Sequence, residues 1–232
     1  AGKTRAGAEW VKAKALGLPP IGREAARRIA LVGETMADVR RVMIEGASGI
    51  LAVHDDATRP HYEVSKGEVI WPNGAIAQVF SAEAADGLRG PQFDAAWGDE
   101  LAKWREAEAA WDMLQFGLRL GPAPQVCVTT TPRPLPLLRT LLDDRATMVT
   151  RARTADNAAN LAPSFVAEMA RRYAGSVLGR QELDGELIDE AAGSLWRRDW
   201  IESRRVATVP VELVRVVVAV DPPVTATAAS DA

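Results

Sequence analysis

The sequence predicts an α/β fold in which a parallel sheet is flanked by helices on both faces. Three observations predict it. Short apolar runs such as residues 28–32 (RIALV) and 125–128 (QVCV) alternate with segments of helical spacing, the βαβ rhythm that packs helices onto a parallel sheet. The chain opens on Gly2-Lys3-Thr4, followed by an Ala-rich, helix-compatible stretch. A further apolar run, with Phe93, Ala95, Ala96 and Trp97, ends in two adjacent carboxylates, Asp99 and Glu100.

Composition narrows the classes. With 232 residues, 47% hydrophobic and 25% charged, the chain is long enough for one large domain and has a globular balance. No apolar run approaches the roughly 20 residues needed to cross a bilayer, and nothing in the opening residues reads as a signal peptide. The lone Cys127 excludes an internal disulfide, fits a reducing compartment and reads as a small core residue. A net charge of −3 argues against a protein that coats nucleic acid over its whole surface, though not against a local basic face.

Ala1-Gly2-Lys3-Thr4 reads as the back half of a phosphate-binding loop, G-x-x-x-x-G-K-[ST]. In such a loop Lys3 reaches the β- and γ-phosphates and the Thr4 hydroxyl ligates magnesium. The helix that starts there, expected over residues 5–15, aims its free N–H groups and positive dipole end at the phosphates. The first glycine and the preceding strand would lie before residue 1, so the motif is expected to be cut. A Gly/Pro-rich turn then leads into the strand at 28–32, with Gly33-Glu34-Thr35 as its C-terminal turn, and residues 38–45 show helical spacing. His54 and His61 fall in a polar stretch read as a solvated loop, because neither a Cys partner nor a regular element fixes metal geometry. Pro72-Asn73-Gly74 between two apolar arms predicts a hairpin over residues 68–80.

Arg89 stands between glycines, ahead of the strand that carries the acids. Its planar, permanently charged fork suits a γ-phosphate in the transition state; a surface Arg in a turn is the alternative. At the strand end, Asp99 can help hold magnesium through its water shell. Glu100 can deprotonate the water that attacks a γ-phosphate, and an ordinary pair of strand-end acids is the alternative. Residues 101–118 are expected to form one helix with Trp104, Trp111, Leu114 and Leu118 on its apolar face. Residues 125–128 form the next buried strand and deliver Thr129, Thr130 and Thr131, whose hydroxyls can bond a phosphate or the attacking water. A short helix over 135–142, a strand over 146–150 and a helix from Pro163 to Tyr173 follow. Residues 213–220 (LVRVVVAV) read as a central strand delivering Asp221 before Pro222-Pro223 end the ladder. An acid at that point is where a two-metal nuclease would hold its first ligand.

These motifs, in this order, resemble the large terminase subunit of tailed bacteriophages, in particular the type found in gene transfer agents. The likeness runs through GKTRAGAEW, ALVGET, DGLRGPQFDAAWGDELAKW, TTTPRP, DNAANLAP, LGRQELDGEL and VVAVDPP, essentially the whole chain. It implies a P-loop NTPase fold of the additional-strand ATPase type, plus the first strand of an RNase H-like domain. The ATPase domain would span residues 1–188, a linker 189–212, and the start of a nuclease 213–232. The ligands implied are ATP and Mg2+, with Mg2+ or Mn2+ for the nuclease. Gly2, Lys3 and Thr4 match the phosphate loop, Asp99 the magnesium-associated acid and Glu100 the catalytic base. Thr129, Thr130 and Thr131 match the segment that couples hydrolysis to movement. Arg89 matches an arginine finger acting on the neighbouring subunit of a ring, and Asp221 the first metal ligand of the nuclease.

The partners implied are double-stranded DNA, the portal protein of a procapsid, a small terminase subunit and further copies of the chain. No membrane is involved, and the place of action is the cytoplasm of a bacterial host. Gly98 departs from the pattern, since a bulkier residue is more usual before the acids. The expectation is that the full-length protein is a packaging motor and nuclease. This chain, as a fragment, is expected neither to hydrolyse ATP at a useful rate nor to cut DNA. Two other readings stay open: a helicase-like or other P-loop ATPase, and a non-catalytic interaction module in which Asp99 and Glu100 merely cap a helix.

Overall fold

Strand pairing in the computed structural model follows the apolar runs closely. The structure describes residues 2–188, 200 and 203–205, so the expected linker, the strand at 213–220 and Asp221 lie outside the described residues. The chain divides after Asp189 into two units, and the sheet with its helices belongs to the first. That sheet has six strands in the order β2-β3-β4-β1-β5-β6. β1 (Arg28–Gly33), β4 (Ile76–Ser81), β5 (Ala95–Asp99) and β6 (Gln125–Thr129) run parallel, while β2 (His61–Glu63) and β3 (Glu68–Ile70) extend the β4 side antiparallel. The register sets Gly33 opposite Ser81 and Asp99 opposite Thr129. All four parallel strands therefore deliver their carboxyl ends to one edge, where ligands bind in open α/β sheets.

Alternation along β1 explains the two-layer core. Successive strand side chains point to opposite faces. Ile29 and Leu31 join Ala8, Val11 and Ala15 of α1 (Lys3–Leu16), together with Trp71 and Trp97. Ala30 and Val32 join Phe93, Leu101, Trp104 and the α3 residues Ala110 and Leu114, where α3 is Ala107–Gly117. Trp71 and Trp97 are fully buried, and each such side chain contributes roughly 1.5–3 kcal/mol by its removal from water. The approach of α1 to the sheet is close because Gly7 faces Trp97: a Cβ there would fall inside the indole ring.

Four local expectations are corrected. Residues 38–45 form a short α turn, α2 (Met36–Asp38), that widens into a π turn over Val39–Ile44. Residues 101–118 are not one helix. A single 3-10 turn (Leu101–Lys103) gives way to extended backbone at Trp104 before α3 begins, because the Trp104 indole donates back to the Asp99 carbonyl oxygen at 3.0 Å. Residues 146–150 make no strand: they follow α4 (Pro136–Asp143) as irregular chain, with Met148 90% and Val149 44% exposed and so no apolar face buried. The polar stretch from His54 to His61 is not simply solvated. His61 opens β2, and His54 is half-buried, donating from Nδ1 to the Ile50 carbonyl oxygen (2.8 Å) and accepting the Trp71 indole N–H at Nε2 (2.9 Å). The hairpin is as expected, with Asn73 Nδ2 also tying its turn to the Ala15 carbonyl oxygen at 2.8 Å.

Two expected outcomes follow from this packing. Gly7→Ala should lower stability by about 3 kcal/mol, since the ring it strikes is fully buried and cannot retreat, as thermal unfolding would measure. Burial holds the His54 imidazole below its ordinary value, and the Trp71 N–H needs its neutral Nε2. The stability from this pair should be complete above pH 6.5 and lost as pH falls through the lower folded value. Melting curves between neutral and acid pH should show that loss in the wild type, and His54→Gln should remove this component of the pH dependence.

Candidate functional site

The carboxyl edge of β5 and β6 brings the sequence-separated acids, threonines and lysine into one cluster. Gly2 caps the start of α1 with a φ of 76°, in the left-handed region, and Lys3 is the first residue of the helix. Lys3 Nζ donates to Thr131 Oγ1 at 3.0 Å and lies 3.5 Å from Glu100 Oε1. Thr4 follows in the same turn, half-buried, its hydroxyl bonded to no other described side chain. The turn of residues 154–160 borders this start: the Asn157 amide oxygen stands 3.8 Å from the position a Cβ on Gly2 would take.

Asp99 closes β5 and is 6% exposed. Its Oδ1 accepts the Thr129 hydroxyl at 2.5 Å, and Thr129 Oγ1 in turn accepts the Trp97 indole N–H at 2.7 Å. Burial pushes the Asp99 carboxyl above its ordinary range, while the Thr129 hydrogen bond and the Lys3 charge pull the other way. Glu100 follows at φ 50°, and among the described residues it is the one non-glycine with positive φ. A carboxylic acid in that region is strained, and such strain persists where the surroundings over-determine it. They do so here. The Glu100 N–H donates to the Thr129 carbonyl oxygen at 2.6 Å, and its Oε2 accepts the Thr131 N–H at 3.2 Å. Thr130 is committed elsewhere, accepting the Ala102 N–H at 3.0 Å and so fastening the 3-10 turn after Glu100.

Gly98 is explained by its neighbour: a Cβ there would meet the Trp104 ring at 3.0 and 3.2 Å. The bulkier residue expected before the acids is replaced by an indole laid over the strand. Arg89 is not brought to this cluster. It is exposed, sits 3.7 Å from Asp86, and lines a cleft with Pro91 and the α3 end residues Met113, Phe116 and Gly117, on the side where the chain enters β5. Asp221 lies outside the described residues.

Sequence reasoning missed Trp97. Its signal was available, since residues two apart on a strand share a face and Asp99 is two beyond it. The register opposite confirms that face, pairing Trp97 with Cys127 and Asp99 with Thr129. As a set, the buried Asp99 carboxylate, whose Oδ1 is taken by Thr129, and the Thr4 hydroxyl in the first turn of α1 are the oxygen donors that Mg2+ prefers, with Lys3 suited to phosphate.

Comparison with known proteins gives one family and one fold. A family model described as terminase large subunit, T4likevirus-type, N-terminal, matches residues 1–203. Among solved structures, the large terminase of a thermophilic bacteriophage is 16% identical with a TM-score of 0.57, over 69% of this chain and 40% of that one. The large terminase ATPase domain of Thermus phage P74-26 is 16% identical with a TM-score of 0.54, over 81% of this chain and 84% of that one. The same thermophilic bacteriophage's large terminase in complex with ATP-gamma-S is 16% identical with a TM-score of 0.54, over 69% and 39%. The chain thus spans 40% of the length of the first of these proteins. At such identities the likeness is one of fold. No curated protein sequence matches the chain.

Cys127 shares the face of Trp97 and Asp99 and yet is no candidate nucleophile. Burial, with the Asp99 charge second, pushes its thiol up to about 11. Alkylation by iodoacetamide at mildly alkaline pH should be slower than that of an ordinary thiol by on the order of a hundredfold, and unfolding in denaturant should restore the normal rate.

Proposed function

The chain belongs to the N-terminal family of large terminase subunits, and from that premise we propose that it is the ATP-hydrolysing motor portion of a machine that packages double-stranded DNA into a viral capsid. The observation that carries the reading is the meeting of Lys3 with Glu100 and Thr131 at the carboxyl edge of the sheet. In the proposed mechanism the triphosphate lies over the start of α1, against the backbone N–H groups of its first turn. Lys3 turns from Thr131 and Glu100 to the β- and γ-phosphate oxygens. Thr4 and Asp99 would hold Mg2+, which supplies charge neutralisation on those oxygens.

Glu100 is the base. Freed of Lys3, it takes a proton from a water whose oxygen bonds to the γ-phosphorus as the bond to the bridging oxygen breaks, leaving ADP and phosphate. Its place is held by the Thr131 N–H, so the base is oriented before the lysine leaves. Thr129, Thr130 and Thr131 each tie the end of β6 to a different part of the site, which suits the role of passing nucleotide state onward. Arg89, exposed and away from its own chain's cluster, is proposed as a finger into the site of a neighbouring copy in a ring. That ring would work with a portal, a procapsid and a small terminase subunit in the host cytoplasm. The nuclease part rests on sequence alone, through LVRVVVAV and Asp221.

Glu100→Gln in the full-length protein tests the base. Turnover of ATP should fall by about 10²–10⁴-fold while nucleotide binding persists; unchanged turnover removes the assignment.

A further inference from the structure

Trp97 is buried and fills the space beneath α1, which accounts for its ring but not for its N–H. The indole nitrogen can only donate, and it donates to Thr129 Oγ1 at 2.7 Å. A hydroxyl has one proton and three staggered positions for it. With the indole occupying a lone pair, the proton of Thr129 is directed to Asp99 Oδ1, 2.5 Å away.

We propose that Trp97 is a positioning residue of the nucleotide site, acting through Thr129 to fix the Asp99 carboxylate that would hold the cation. The assignment rests on the nucleotide reading above. The parts are arranged as a relay with no slack: Gly7 presses α1 onto the ring, β5 places Trp97 and Asp99 on one face, and β6 sets Thr129 opposite Asp99. Across the strand, Trp104 donates its own N–H to the Asp99 carbonyl oxygen, so backbone and side chain of the acid are each fixed by an indole. A carboxylate whose rotamer is locked before the cation arrives loses less freedom on binding it, which is why outer partners of metal ligands change affinity.

The test is a binding measurement on the full-length protein. A fluorescent ATP analogue is titrated in EDTA and again in Mg2+, and the gain in affinity with Mg2+ is the readout. Mn2+ binding in the presence of ATP, followed by electron paramagnetic resonance, gives a second readout. Trp97→Phe keeps a ring against Gly7 and removes the N–H. It should cut the Mg2+-dependent gain about tenfold while leaving affinity in EDTA unchanged. Thr129→Val should do the same and Thr129→Ser should restore the gain.

A merely structural tryptophan gives a different result: Trp97→Phe would weaken binding equally in both conditions, and that outcome overturns the proposal. So does a Trp97→Phe protein with the full gain. If Trp97→Phe does not fold, the threonine pair decides, because the indole reaches Asp99 only through that hydroxyl: an undiminished gain in Thr129→Val overturns the relay. A wild-type protein that binds no nucleotide in either condition overturns this assignment together with the reading beneath it. A wild type with the gain and variants that keep it overturn the assignment alone.

Discussion

A carboxylate that is 6% exposed is costly unless its oxygens are bonded, and the fold around Asp99 is the answer to that constraint. The Thr129 hydroxyl meets one oxygen, Trp97 aims that hydroxyl, and α1 sits close enough to cover them because position 7 has no side chain. Helix, two strands and two indoles are thereby committed to one acid. An isolated strand-end aspartate would not demand this. The arrangement makes sense where the charge must remain, be fixed in direction and meet a cation at the sheet edge.

Glu100 shows the same logic in its backbone. Its left-handed conformation costs of order 1–3 kcal/mol, and the chain turns there so that adjacent carboxylates diverge. Asp99 faces inward to Thr129, and Glu100 turns outward to Lys3 and the Thr131 N–H. Had β5 run straight on, alternation would have put the second acid on the Trp104 face, away from the lysine. The following 3-10 turn, fastened by Thr130, prevents the chain from relaxing back.

The sheet was legible because its signals are local and periodic. β1 after Arg28 and β5 before Asp99 are apolar and buried, and the Asn-Gly turn fixes the hairpin in register. Errors came where a tertiary bond overrode spacing. The pattern over 101–118 is helical, yet the indole hydrogen bond from Trp104 to the Asp99 carbonyl oxygen holds the chain extended between turn and helix. His54 reads as polar loop because its partner, Trp71, stands 17 residues on, at the hairpin turn after β3.

The chemical residues of the site were legible for a different reason: lysine, acids and hydroxyls announce their chemistry wherever they fall. What no residue type announces is direction. Arg89 precedes β5 in sequence by only a few residues, but a strand has two ends, and the chain approaches β5 from the one opposite to where Asp99 leaves it. Sequence proximity to β5 therefore says nothing of proximity to the edge where its carboxylates stand. Tryptophan fails in the converse sense. It reads as bulk, so its single donor is overlooked, although a buried indole N–H needs a partner as surely as any backbone amide does. Asking where the N–H of Trp97 must go, on a face it shares with Asp99, leads to the hydroxyl across the ladder and so to the construction of the site.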